Sequence, residues 1–103
     1  MTFAQNMLLY PDGDREKLQR QLRRRKAVNL YCVCVCPNHP YPFEIFEAKE
    51  LYKALKQEKE YHVVAVARHE EEALSMIVGL MECLLERDPQ LRRMKETIGE
   101  IYR

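Results

Sequence analysis

Along this chain, short β-branched and aromatic runs alternate with longer stretches whose apolar residues recur every three or four positions. The run from Val28 to Cys36 is β-branched, aromatic and cysteine-rich, and no charge appears from Val28 to Pro42. It is too short to cross a bilayer, so it predicts a strand buried on both faces. Tyr61 to Ala67 repeats the pattern and predicts a second buried strand. Met7 to Tyr10, followed by the turn signal Pro11-Asp12-Gly13-Asp14, predicts a short first strand. Phe43 to Glu47 alternates imperfectly and fits an edge strand or the first turn of a helix.

Helical spacing fills the intervals. Asp14 is placed as an N-cap for a helix from Arg15 to Lys26, where Leu18 and Leu22 form a thin apolar stripe among charges. Pro37, Pro40 and Pro42 forbid helix and demand an extended loop. Ala48, Leu51, Tyr52 and Leu55 then predict a helix ending near Glu58. Glu70-Glu71-Glu72 suits a helix N-terminus. Ala73, Leu74, Ile77, Val78, Met81, Leu84 and Leu85 give that helix a wide face, with Leu74, Ile77, Val78, Met81 and Leu85 expected against the strand Val63 to Ala67. Asp88-Pro89 ends it and is expected to start a terminal helix over residues 89–103 as N-cap and first helical residue.

This order predicts one α/β domain over residues 1–103, a small three- to four-stranded, mainly parallel sheet with helices on its faces. The element order resembles a truncated flavodoxin-like or Rossmann-like unit, a likeness of order that carries no function with it. Apolar residues make up 47% of the chain and charged residues 32%, enough core material to exclude a disordered chain. The start of the sequence reads as lacking a secretory signal and no run is long enough to span a bilayer, so a cytoplasmic protein without a membrane partner is expected. Reduced thiols fit that compartment. Neighbouring cysteines on one strand face would stand roughly 6.5–7 Å apart, at the edge of bridging geometry.

Candidate chemistry is sparse. With Gly13, Gly79 and Gly99 the only glycines and Ser75 the only serine, no P-loop, dinucleotide fingerprint or serine-hydrolase elbow can be written. Cys32, Cys34 and Cys36 with His39 have the residue types of a metal site, but cysteines spread along a pleat do not converge as C-x₂-C pairs do, so neither metal nor cofactor is expected. In a parallel sheet Cys36, His39, Arg68 and His69 would share one edge as a ligand site or an activated thiol. The run Arg20, Arg23, Arg24, Arg25, Lys26 is the one basic block. Residues 1–42 carry +4 and the remainder −3, for a net charge of +1. Stacking aromatics are absent from the block, so nucleic acid is disfavoured as a partner.

The reading that remains is a non-catalytic domain acting as an oligomeric or protein-interaction module. Its alternatives are a nucleic-acid binder using Arg20 to Lys26 and a Cys/His metal or thiol site at the strand ends. Leu91, Met94, Ile98 and Ile101 form a narrow seam at steps of three and four on the terminal helix, the expected contact of a homodimer.

Overall fold

The cysteine-rich run forms an inner strand, shorter than its apolar length suggests. In the computed structural model, which describes residues 1–103, the elements are β1 (Thr2–Leu9), α1 (Arg15–Arg23), β2 (Tyr31–Val35), β3 (Glu44–Glu47), α2 (Ala48–Ala54), β4 (His62–Ala67), α3 (Glu70–Arg87) and α4 (Met94–Ile101). Val28 stays outside β2 and is exposed, because Asn29 takes a left-handed conformation (φ 58°) that interrupts the extended chain. Phe43 to Glu47 resolves as the edge strand and not as the first turn of a helix. Glu44–Glu47 is an edge strand, and α2 starts at the next residue.

The strands are ordered β1-β4-β2-β3, which places β4 and β2 inside the sheet and explains their burial on both faces. The expected mainly parallel sheet is corrected here: only β1 and β4 are parallel, and β2 runs antiparallel to both β3 and β4. The flavodoxin-like order fails with it. The physical reason lies between Cys36 and Phe43, where the proline-rich connection is too short for a crossover and sends the chain back beside β2. The crossover is made later by α2, which carries the chain from β3 past β2 to β4.

Helices cover both faces. α2 packs on β2 and β3, and Tyr52 Oη donates to Ala27 O (2.9 Å), tying α2 to the exit of α1. α3 packs on β4 and β2 from the other side, and Tyr102 Oη donates to Leu80 O (3.3 Å), tying the end of α4 to α3. α1 is capped as expected: the Asp14 carboxylate accepts Lys17 N–H at 3.1 Å. Its C-terminus closes with Lys26 N–H on Gln21 O (2.9 Å) and Arg25 N–H on Leu22 O (3.0 Å), which puts Arg25 in the left-handed region at φ 56°. No helix is long and apolar enough to cross a membrane.

The packing of α3 and α4 corrects two further expectations. On α3 the buried line is Ala73, Leu80 and Leu84, with Ile77 and Met81 partly buried against the core, while Leu74, Val78 and Leu85 are exposed. The apolar face is wider than the strip of sheet it covers. Asp88 ends α3 through its own backbone N–H, which donates to Leu84 O at 2.8 Å, and its carboxylate accepts the backbone N–H groups of Arg92 (3.0 Å) and Arg93 (2.8 Å) in the turn that follows, where no helix starts. α4 begins only at Met94, and the seam expected to meet a second copy turns inward. Ile98 is buried, Met94 and Ile101 lie against the core, and Leu91 alone is exposed.

The four cysteines are unbridged, with Cys32, Cys34 and Cys36 buried and Cys83 exposed. Burial pushes the Cys32 thiol up to about 12 and Cys34 well above its ordinary range. A thiol reagent at about pH 8 is therefore expected to modify Cys83 quickly and the strand thiols slowly, and Cys83→Ser to remove the fast phase. Rapid loss of all four thiols in the native state would contradict this packing.

Candidate functional site

Strand direction decides which of the expected site residues meet. Because β2 is antiparallel to β4, its end at Cys36 lies beside the start of β4, whereas Arg68 and His69 follow the far end of β4. Cys36 and His39 therefore stand at one end of the sheet and Arg68 and His69 at the other. The latter pair lines an open cavity of about 580 Å³ with Asn29, Leu30, Tyr31 and Glu47. There the exposed Arg68 guanidinium stacks 4.4 Å from the centroid of the half-buried Tyr10 ring. The thiol near imidazole and guanidinium does not form, since the guanidinium is at the opposite end.

At the Cys36 end a different group assembles. The chain leaves β2 through Pro37-Asn38, and His39 N–H closes the turn on Cys36 O at 3.1 Å. The backbone N–H groups of Asn38 and His39 lie on the sulfur side of the turn and favour the Cys36 thiolate. Lys95 from α4 donates to Cys36 O (2.9 Å) and Tyr41 O (3.1 Å), fixing the turn from the other side of the sheet. The turn returns the imidazole toward the thiol, so Cys36 and His39 are a C-x₂-H pair whose donor atoms converge, unlike Cys32 and Cys34 along the pleat. Glu58, just past α2, completes the group: one ligand atom from each of Cys36, His39 and Glu58 lies within 4.8 Å of the others.

Each donor is oriented by a neighbour. Glu44 on β3 holds His39 Nδ1 at 2.5 Å. A carboxylate only accepts, so Nδ1 carries the hydrogen and Nε2 keeps its lone pair. The ring stands edge-on to Tyr61, with centroids 5.6 Å apart. Glu58 accepts from the Asn38 side-chain amide (2.9 Å) and from Glu60 N–H (3.0 Å), and these bonds, the Asn38 one foremost, hold its carboxyl below the usual range. Burial pushes the Cys36 thiol up, the backbone N–H groups pull it back, and the Glu58 and Glu44 carboxylates push it up again. No cation beside the sulfur favours a free thiolate among these causes. A bound cation would supply that charge.

Chemically, the group offers one soft sulfur, one imidazole nitrogen and one carboxylate oxygen, on a turn that is buried at Cys36 and partly open at His39 and Glu58. Sequence reasoning placed Cys36 and His39 together but missed Glu58 and Glu44. The spacing Cys36-Pro37-Asn38-His39 carries a readable signal, a ligand pair across a tight turn. Nothing local marks the two carboxylates, which the pairing of β2 with β3 and the exit of α2 bring in. Comparison of the chain with protein-family models, with curated proteins and with solved structures finds no match.

Proposed function

We propose that this chain is a non-catalytic metal-binding module whose site holds a zinc-like divalent ion through Cys36 Sγ, His39 Nε2 and the Glu58 carboxylate. The observation that carries this reading is that one ligand atom from each of Cys36, His39 and Glu58 lies within 4.8 Å of the others. A tetrahedral ion with bonds of about 2.0–2.3 Å wants ligand atoms about 3.3–3.8 Å apart, so binding would draw the three donors together. Sulfur and imidazole select zinc over magnesium or calcium, which prefer all-oxygen sites. Glu44 on His39 Nδ1 supplies the outer carboxylate that fixes the ring and raises its basicity. Three protein donors leave a fourth position for water or for a group from a partner.

Competition of the reduced protein against a chromogenic chelator in metal-free buffer is expected to give one Zn²⁺ per chain. Cys36→Ser and His39→Ala should abolish it. Glu44→Gln should weaken it by about 10–100-fold, since it removes only the support of the ring. Cys83→Ser, which alters an exposed thiol away from the site, should leave it unchanged. Absence of binding, or binding that survives both Cys36→Ser and His39→Ala, would overturn the proposal.

A further inference from the structure

The helices covering the two faces of the sheet differ sharply in charge. On one face, residues 15–26 of α1 and its exit carry seven basic residues against one acidic, and residues 48–60 of α2 and its exit add four basic against three acidic. On the other, residues 70–103 carry five basic against eight acidic. The +1 net charge of the chain hides this separation. Folding joins the lysines of α2 to the arginine block of α1, a neighbourhood that neither segment reveals alone.

Arg20, Arg23, Arg24, Arg25 and Lys26 are exposed on the α1 side, and so are Lys49, Lys53, Lys56 and Lys59 on the α2 side. None of them stands in an ion pair, whereas Arg87 pairs with Glu100 and Arg93 with Glu96 on the other side. The surface is continuous. One cleft is lined by Arg20, Arg23 and Arg24 with Glu16 and Gln19, a second by Arg23, Arg25 and Lys59 with Met1 and Leu55, and Arg23 belongs to both. Its guanidinium is laid over the Phe3 ring, 5.1 Å from the centroid, which fixes the charge at that junction.

Arg25 lies on the same surface, in the left-handed position that closes α1, where glycine is the unstrained residue and a side chain costs stability.

From these observations we infer that the α1–α2 face docks on the phosphate backbone of a double-stranded nucleic acid. Unpaired arginines match phosphate geometry through their planar fork. The face exposes one large apolar residue, Val28, and the half-buried Phe3 ring is covered by the Arg23 guanidinium, so it has little to insert into a lipid surface and no open platform on which single-stranded bases would stack. Contact through phosphates alone predicts recognition without sequence preference and with strong salt dependence. The acidic opposite face orients the approach.

Fluorescence anisotropy of the intact chain with a labelled duplex of about 20 base pairs tests this, with anionic phosphatidylserine vesicles as the competing surface. Binding is expected at about 50 mM salt, falling steeply by about 200 mM. Arg20→Gln combined with Arg24→Gln should lower the slope of log K against log salt by about 2, so that the affinity ratio between those two salt concentrations shrinks by about tenfold. Arg92→Gln combined with Arg93→Gln, on the far side, should change neither. Arg25→Gly should weaken duplex binding while the melting temperature holds or rises, a split that a merely structural role would not produce. The inference is overturned by absence of duplex binding at low salt, by equal losses from the far-side pair, or by vesicle binding tighter than duplex binding. It does not depend on the metal site, so Cys36→Ser should leave duplex binding intact.

Discussion

Replacing Leu84 with alanine is expected to cost about 2–5 kcal/mol, whereas the same change one residue later, at Leu85, should cost under about 1 kcal/mol. Leu84 is 0% exposed and Leu85 is 40% exposed. Along α3 the residues Ala73, Leu80 and Leu84 fall on one line toward β4 and β2, and Leu85 is turned about 100° away from it. Truncating Leu84 removes apolar contacts and leaves a cavity between helix and sheet, while truncating Leu85 removes surface that water already reaches. Urea unfolding of both variants at an unchanged m-value measures the difference. If Leu85→Ala proved the more damaging, α3 would be rotated about its axis from the orientation described.

Ile98→Glu is expected to cost about 3–5 kcal/mol, because it places an unpaired charge where the side chain is 2% exposed between α4 and the body of the protein. Leu91→Glu, at 39% exposure, should change stability by about 0.5 kcal/mol or less. Sedimentation equilibrium run beside the unfolding curves separates packing within one chain from packing between two. An Ile98→Glu variant that stayed as stable as the parent and changed only its mass in solution would mean that α4 meets a second copy and does not lie on its own domain.

Local patterning made several elements readable. β2, β4 and α3 each declare themselves through a run or a period within a few residues, and the Asp14 cap announces α1. Strand direction was not readable in the same way. The prolines from Pro37 to Pro42 exclude a helix, but they do not say whether the chain continues outward or returns beside β2, and that return reverses which ends of β2 and β4 are neighbours. The pairing of Cys36 and His39 with Arg68 and His69 depended on the parallel alternative and fell with it. Glu44 and Glu58 read as ordinary solvated carboxylates, since only the fold brings them to His39 and Asn38. The α4 seam has the period of a coiled coil, and a period alone does not show that Met94, Ile98 and Ile101 contact this chain's own core.

The parallel pairing of β1 with β4 also has a kinetic side. Thr2 pairs with His62 and Phe3 with Val63, so the edge strand nearest the start of this sequence closes on one about sixty residues later. β2, β3, α2 and β4 are linked by nearer neighbours and can assemble without β1. Loop-closure entropy weighs on the β1 contact most heavily, so docking of β1 should come late and slow the overall rate relative to a helical bundle of the same size. Until then the outer edge of β4 is an unpaired row of backbone donors and acceptors on an uncharged, β-branched strand. During refolding at high concentration, that edge is where one chain would capture the β1 of another, and exchange of β1 between copies is the misassembly this topology invites.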